Sequence, residues 1–278
     1  MIPKYPILVA TLAVALTLAH TASATDVGKN SIPTQNGDVI GLLGSTYNNQ
    51  EPSIGVNVQA LNIGIEYQKT KTFSQDKFFV GEFEYVNGPD NYSGSGNLVI
   101  PKYYINLKLS FGKDIFYETY VLSPYIGVGY RFLNQSGSGL ITSTNYYAYD
   151  RHSTYVYIPV GIKRRIALQT GATVETSLEY DFLIAGSQFS GLSVANNNGY
   201  TDASDVTNRQ TSGYGLNGSI MYQRPDGWSF GPYFKYWNIS NSDTAAWTYK
   251  SGGTSYSVSA WEPANFTEEY GLKASYKF

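Results

Sequence analysis

Few side chains in this sequence could act as a catalytic base or nucleophile. Beyond the first 24 residues the chain has one histidine, in the tetrapeptide Asp150-Arg151-His152-Ser153, and it has no cysteine. An aspartate two residues from a histidine can orient the imidazole and stabilise its charged form, as a general base requires. Asp150 and His152 are therefore the catalytic candidates, although we interpret the pair as part of a solvated loop and predict no enzyme.

Metal and nucleotide chemistry find little support. Asp202 and Asp205 could approach a cation, but two carboxylates do not supply the six to eight oxygen ligands that calcium takes. Without cysteine there is no thiolate site, and no P-loop, zinc pattern or nucleotide fingerprint occurs. We predict no metal and no cofactor. The formal net charge of −2 shows no basic excess, so we expect no nucleic-acid partner.

The first 24 residues have the pattern of a secretory signal peptide. Lys4 precedes an apolar run at residues 7–18, and Ala22-Ser23-Ala24 matches the small-residue cleavage site. We predict cleavage before Thr25; an uncleaved N-terminal anchor is the alternative. No later stretch approaches the 18 or more apolar residues of a membrane-spanning helix. The predicted division is a signal peptide at 1–24, a short periplasmic leader at 25–37 and one barrel domain at 38–278.

The remaining chain consists of long segments in which apolar and polar residues alternate. Such alternation is typical of strands with one apolar and one polar face, and about nine to eleven residues let a tilted strand cross a bilayer. The ten predicted strands are residues 39–48, 58–72, 77–87, 102–112, 119–133, 153–165, 171–186, 213–224, 228–241 and 266–278.

Short and long connections alternate between these strands. Short ones lie at 74–76, 113–118, 166–170 and 225–227, and long ones at 49–57, 88–101, 134–152, 187–212 and 242–265. Short periplasmic turns and long extracellular loops are the pattern of outer-membrane barrels, and an even strand number brings both termini to the periplasm. We predict a closed, all-β, antiparallel transmembrane barrel of ten strands. A soluble lipocalin-like barrel is the alternative.

The polar face of the predicted strands carries acids and bases in equal number. A ten-stranded barrel is narrow enough for side chains to fill it, and unpaired buried charges are costly. We therefore predict a salt-bridged, plugged lumen, with a small polar channel as the alternative. The predicted lumen charges are Glu66, Glu82, Glu84, Lys108, Arg131, Lys163, Arg165, Glu175, Glu179, Asp181, Lys235, Glu269, Lys273 and Lys277.

Several strands resemble those of the OmpA-like, porin-family outer-membrane β-barrel proteins. The resemblance is carried by SPYIGVGYRFLN (123–134), YVYIPVGIKRR (155–165), GYGLNGSI (213–220) and the terminal Tyr276-Lys277-Phe278. It implies the outer membrane of a Gram-negative bacterium, with outer-membrane lipid around the barrel. It also implies that Tyr276 and Phe278 form the signal read by the barrel-assembly machinery.

The omptin surface proteases are similar in strand number and in using an Asp–His pair. This chain departs from their pattern, because Asp150 and His152 lie in the third long loop, whereas the omptins place their pair in the fourth. In the second long loop Asp90 has no acidic partner. His152-Ser153 is also similar to the motif of lipid A deacylases, whose barrels have eight strands.

The long loops contain aromatic residues that could contact an extracellular protein or glycan. Rigid scaffolds commonly hold functional loops, and exposed Tyr and Trp side chains are good interface anchors. Alternatively, these rings fold back over the barrel mouth. We expect a non-enzymatic barrel that presents surface loops in a structural or adhesin-like role; the alternatives are a narrow channel for small polar solutes and an omptin-like surface hydrolase. The loop aromatics are Tyr146, Tyr147, Tyr149, Tyr200, Trp247, Tyr249, Tyr256 and Trp261.

Overall fold

Strands make up most of the structure. A computed structural model describes residues 32–278, and the predicted signal peptide lies outside the described residues. In chain order the strands are β1 (Gly37–Glu51), β2 (Val56–Thr72), β3 (Lys77–Asn87), β4 (Asp90–Gly94), β5 (Gly96–Ile100), β6 (Lys102–Lys113), β7 (Ile115–Phe116), β8 (Val121–Gln135), β9 (Arg151–Ala167), β10 (Thr173–Ser190), β11 (Val206–Arg209), β12 (Gly213–Gln223), β13 (Trp228–Ile239), β14 (Ala245–Ser251), β15 (Thr254–Ala260) and β16 (Asn265–Lys277).

Ten of these strands form a closed antiparallel barrel. Around the barrel the order is β1, β2, β3, β6, β8, β9, β10, β12, β13 and β16. The first and last strands close it, because β1 pairs with β16 from Val39↔Lys277 to Gln50↔Phe266. A closed sheet leaves no open edge, which is the condition for placing strands in lipid. No helix within residues 32–278 is long and apolar enough to cross a membrane.

All ten predicted strands are confirmed, whereas the first predicted long loop is wrong. Residues 49–57 were expected to form a loop, but β1 continues to Glu51 and β2 begins at Val56. Asn49 and Gln50 pair with both neighbouring strands, so polar residues here extend the sheet beyond its apolar part. The remaining turn is closed by a hydrogen bond from the Ile54 N–H to the Glu51 carbonyl, with a positive φ of 70° at Gly55.

Three of the other long connections contain strands that the sequence did not predict. The connection after β3 holds the β4–β5 hairpin, and β4 also pairs with β2. Between β10 and β12 lie the 3₁₀ helix Leu192–Asn198 and β11, and between β13 and β16 lies the β14–β15 hairpin. These segments are short and rich in Ser, Thr, Asn and Gly, so they lack the long apolar alternation of the barrel strands.

The outside of the barrel is apolar. Leu61 and Leu272 are 76% and 69% exposed, and the polar residues that alternate with them point into the barrel. Aromatic rings lie near the strand ends, for example Tyr67, Tyr130 and Phe278, as in the interfacial girdles of membrane barrels. A water-soluble barrel would bury its apolar face inside, so this exterior excludes the lipocalin-like alternative.

Close strand packing requires glycine at Gly231 in β13. A Cβ at this position would overlap the backbone carbonyl of Ile220 in β12. At Gly44 in β1 an added Cβ would meet nothing within 4 Å. The two glycines therefore differ in the space around them, although both lie in barrel strands.

We expect Gly231→Val to destabilise the barrel and Gly44→Val to leave it intact. Overpacking of this kind costs about 1–3 kcal/mol or more, and backbone atoms cannot move aside as a flexible side chain can. The measurement is the temperature at which the folded, fast-migrating gel band converts to the unfolded band. Equal conversion temperatures for the two variants would contradict the tight contact between β12 and β13.

Candidate functional site

A layer of packed aromatic and charged side chains crosses the lumen closer to the long connections than to Phe278, since Tyr104 is the third residue of β6 and Glu269 the fifth of β16. The Arg131 guanidinium lies 4.7 Å from the Tyr104 ring centroid and 5.6 Å from that of Trp237. Glu269 accepts hydrogen bonds from the hydroxyls of Tyr104 at 2.9 Å and Tyr233 at 3.0 Å. We call Tyr104, Arg131, Tyr233, Trp237 and Glu269 the central layer. Each of them is buried, with Arg131 4% exposed, so the layer closes the barrel at this height.

Ion pairs line the lumen beside and below the central layer. The Lys108 ammonium lies 2.7 Å from Glu82 and 2.8 Å from Glu179, and Lys273 lies 2.6 Å from Glu66. The Lys108–Glu82 bond joins the paired strands β6 and β3. Lys108–Glu179 links β6 to β10, and Lys273–Glu66 links β16 to β2 past β1. Because a buried charge without a partner is costly, each pair holds its strands at a fixed separation.

The other predicted lumen charges also have partners. Lys235 pairs with Glu84, and Arg165 lies 3.8 Å from Glu175. Asp181 accepts a hydrogen bond from Asn217 at 2.6 Å. Lys163 lies 5.9 Å from the Tyr125 ring centroid, and Lys277 donates to Gln35 at 3.1 Å.

Below the central layer lies a cavity of about 520 Å³ that extends to the end of the barrel where residues 32–36 and Lys277 lie. Its wall mixes polar side chains such as Lys163, Ser177 and Ser219 with apolar ones such as Leu43 and Phe78. Above it stand Tyr233 and Trp237 of the central layer. The cavity is therefore a pocket that the central layer closes at its inner end.

The segment before β1 lies in the mouth of this cavity. The Thr34 N–H and hydroxyl donate to the two oxygens of Asp114 at 2.5 and 2.9 Å, and Arg165 donates to the Thr34 hydroxyl at 2.7 Å. The sequence predicted residues 25–37 as a periplasmic leader. Residues 32–36 of it follow the barrel mouth instead of leaving it, and residues 25–31 lie outside the described residues.

Charged clusters at the opposite end of the barrel were not predicted. Lys102 and Asp90 form an ion pair of 2.5 Å with both side chains fully buried. Arg151 lies 3.0 Å from Glu51 and 2.6 Å from Glu262, which fastens the ends of β1 and β9 to the connection before β16. The alternating pattern of β6 could have indicated that Lys102 points into the lumen, because it lies on the same strand face as the lumen residue Lys108.

The two catalytic candidates are engaged with different partners. The Asp150 carboxylate accepts a hydrogen bond from the Ser138 N–H at 2.8 Å. The His152 ring stacks on Phe189 at 5.2 Å and contacts Phe132 at 5.9 Å between centroids. These rings lie on the outer face of the barrel, so the imidazole belongs to the outer aromatic girdle.

The aspartates considered as cation ligands also have other partners. Asp205 accepts from the Ser193 N–H at 2.9 Å, and Asp202 pairs with Lys250 at 2.6 Å. The hydrogen bond that the Lys250 ammonium donates to the Asp202 carboxylate raises the pKa of Lys250. Within residues 32–278 no group of three or more His, Cys, Asp or Glu side chains could hold a metal ion.

The last two long connections fold together into one surface, which we call the loop platform (residues 191–212 and 240–264). Thr201 forms an antiparallel bridge with Lys250, and the Asn208 amide donates to the carbonyls of Asp243 at 2.9 Å and Ala260 at 3.0 Å. Direct hydrogen bonds between the two connections give the platform a defined structure.

Four of the predicted loop aromatics form a cluster on this platform. The Tyr200 ring lies edge-on to Trp247 at 6.2 Å and to Tyr249 at 4.9 Å, and Tyr249 stacks on Tyr256 at 5.3 Å. Trp261, outside the cluster, is 54% exposed. The rings thus have partners on one side and solvent on the other.

The remaining loop aromatics lie in the connection between β8 and β9. Tyr146 is exposed, whereas Tyr147 and Tyr149 are half-buried. Tyr147 forms a bridge with Ile141. This connection packs on the β4–β5 hairpin, because the Ser143 N–H donates to the Asn97 carbonyl at 3.1 Å.

Known barrels from the outer membrane resemble the whole chain in structure. The outer-membrane protease OmpT from Escherichia coli is 10% identical, with 91% of this chain and all of that chain covered and a TM-score of 0.49. The translocator domain of the autotransporter NalP from Neisseria meningitidis is 11% identical, with 97% of this chain and 98% of that chain covered and a TM-score of 0.40. The COG4313 outer-membrane channel from Pseudomonas putida F1 is 11% identical, with 91% of this chain and all of that chain covered and a TM-score of 0.41.

Identity at this level carries no activity from one barrel to another, and these three differ in function. No family model matches the sequence, and no curated protein matches it. The architecture therefore rests on the chain's own closed sheet, its apolar exterior and its charged lumen. By these features the chain is an outer-membrane-type β-barrel.

We expect the native barrel to be silent in a planar bilayer and Arg131→Ala/Trp237→Ala to conduct. The two substitutions remove the largest side chains of the central layer and join the cavity to the opposite mouth. Single-channel recording of heat-modifiable protein measures the effect. A matched double variant on the loop platform, Trp247→Ala/Lys250→Ala, should stay silent. Steady openings of the native barrel would contradict a closed central layer.

Proposed function

We propose that the protein is a non-enzymatic barrel of a Gram-negative outer membrane that presents its loops at the cell surface in an adhesin-like role. The observation that carries the proposal is the contrast between a lumen blocked by the central layer and loops that form an ordered aromatic platform. A blocked lumen leaves the exposed loops as the surface available for recognition. The partner would be an extracellular protein or glycan.

The chemistry of the loop platform supports this role. Tyr256 is 44% exposed and Trp261 is 54% exposed, and rings of this kind give large contact areas with little loss of conformational entropy. The contacts between Tyr200, Trp247 and Tyr249 hold the cluster in place before a partner arrives. Preorganisation of this kind favours binding, because less ordering is needed on contact.

The aromatic residues at the C-terminal end of β16 support assembly into an outer membrane. Tyr276 and Phe278 lie on the outer face, and Phe278 is 67% exposed. The Phe278 N–H donates to the Asp38 carbonyl at 2.9 Å, next to the seam between β1 and β16. We propose that these two rings are read by the barrel-assembly machinery before the seam closes.

A second candidate is a narrow channel for small polar solutes. The observation that favours it is the cavity of about 520 Å³ below the central layer, whose wall carries charged side chains such as Lys163 and Glu82. Transport would then require the central layer to open. The hydrolase alternative has no comparable support, because Asp150 and His152 are directed to different partners.

An epitope inserted between Gly252 and Gly253 should be displayed on intact cells. Both glycines have a positive φ, of 56° and 80°, at the tip of the β14–β15 hairpin, and an added Cβ would meet nothing within 4 Å. Antibody binding to unpermeabilised cells measures display. The matched control is the same epitope in the turn at Asp226-Gly227, which should need permeabilisation. A correctly folded barrel with the opposite pattern would contradict the proposed orientation.

Truncating the aromatic cluster should weaken attachment. We expect Trp247→Ala/Tyr256→Ala to reduce binding of the purified barrel to a panel of immobilised glycans and extracellular proteins at least tenfold, because buried aromatic anchors dominate interface energy. Tyr117→Ala, which removes an exposed ring from the other end of the barrel, is the control. Undiminished binding by the double variant, or no binding by the native barrel, would contradict the adhesin-like role.

A further inference from the structure

Basic side chains cover one half of the outer rim at the end of the barrel where β1 begins and β16 ends. They lie on the lipid-facing side of strands β2, β3, β6 and β9, just beyond the apolar belt. Lys71 and Lys77 are exposed, and Lys69 and Lys113 have 63% and 57% of their side-chain surface exposed. We call Lys69, Lys71, Lys77, Lys113 and Arg164 the basic rim.

Strand register brings three of these lysines together. Lys77 lies directly opposite Lys113 in the β3–β6 pair. Lys71 lies opposite Phe79 in the β2–β3 pair, and Lys77 is two residues from Phe79 on the same face. Such diagonal neighbours are about 7–8 Å apart. Three ammonium groups therefore share one patch, and a like-charged pair directly across two strands is unfavourable without an anion nearby.

The chain supplies too few anions for this patch. Asp38 pairs with Lys69 at 3.0 Å and Asp76 with Lys113 at 3.4 Å. Arg164 lies 4.8 Å from the Tyr120 ring centroid. Asp114 is directed into the lumen, where it pairs with Arg165 at 2.8 Å. Glu118 has no ion pair in the part of the chain that the structure describes. Lys71 and Lys77 likewise have no carboxylate partner within residues 32–278.

The opposite half of the same rim is different. Its outer face carries the rings of Tyr222, Trp228, Phe230 and Tyr276. Arg224, at the end of β12, is neutralised by Asp226 at 2.6 Å. The positive charge is therefore confined to one side of the barrel, where it would lie at the level of lipid headgroups.

We propose that the basic rim is a binding site for the anionic headgroup of a phospholipid in the periplasmic leaflet, held by Lys71, Lys77 and Lys113. The inference rests on the proposed outer-membrane location. A phosphodiester accepts hydrogen bonds from several ammonium groups at once and supplies the missing negative charge. Its acyl chains would lie against the exposed rings of Phe79 and Phe111, directly above the lysines along the strands.

The arrangement predicts selectivity for headgroup charge. Phosphatidylglycerol carries a net negative charge, whereas phosphatidylcholine of the same chain length has none. Both lipids present the same apolar chains to the barrel wall. A preference for the first over the second therefore isolates the contribution of the lysines, and it should weaken as salt is added.

Native mass spectrometry of the refolded barrel in an uncharged detergent tests the site. We expect phosphatidylglycerol to be retained at least fivefold more strongly than phosphatidylcholine, and Lys71→Gln/Lys77→Gln to lose that preference. Arg209→Gln/Lys250→Gln removes two exposed cations from the other end of the barrel and should keep it. Equal retention of the two lipids by the native barrel, or an unchanged preference in the rim variant, would overturn the site.

The outcome is separable from that of the proposed function. Lipid retention is read on a folded barrel in micelles, with heat-modified mobility confirming the fold of each variant. Failure of surface display would remove the proposed function and leave the lipid preference measurable. A displayed, folded barrel without lipid preference would remove the site alone.

Discussion

Backbone hydrogen bonding in lipid is the constraint on which the rest of this structure depends. Hydrocarbon offers no partners to N–H and C=O groups, so a sheet that crosses a bilayer must close. The seam between β1 and β16 provides that closure over twelve residue pairs, from Val39↔Lys277 to Gln50↔Phe266. Once the sheet is closed, side chains can point only to lipid or to the lumen. Across the apolar belt, apolar residues take the first position, and every charge at that depth must be accommodated in the second. The outward-facing residues of the basic rim lie beyond this belt.

Accommodating these charges determines what the lumen can do. The barrel is narrow, so Lys108 reaches Glu82 and Glu179 on different strands, and Arg131 reaches the rings of Tyr104 and Trp237. Each contact satisfies a buried charge, and together they occupy the space through which a solute would pass. Recognition is then left to the surfaces outside the lumen, namely the loop platform and the outer rim.

The sequence predicted the features that depend on local periodicity. Ten strands, their outer and inner faces and the balanced lumen charges follow from alternation, as in Leu61, Ile63 and Ile65 against Asn62, Gly64 and Glu66. Contacts across the barrel could not be predicted, because Tyr104 and Glu269 are 165 residues apart and meet only after closure. The polar residues Asn49 and Gln50 led to the wrong prediction of a loop. A strand that continues past the bilayer needs no apolar face there, so polar residues can still belong to the sheet. The contact between Tyr200 and Trp247 depends on how two connections pack together, and the spacing of residues along the sequence does not predict it.

The central claim is that the central layer closes the lumen and leaves the cavity below it accessible from one side only. The chain has no cysteine, so a single Ser219→Cys substitution places one thiol in the cavity below the central layer. A membrane-impermeant maleimide added to intact cells should leave this thiol unmodified and should label it once the outer membrane is permeabilised, whereas Ser255→Cys on the loop platform should react in both cases. Rapid labelling of Ser219→Cys from outside intact cells would contradict the closed lumen.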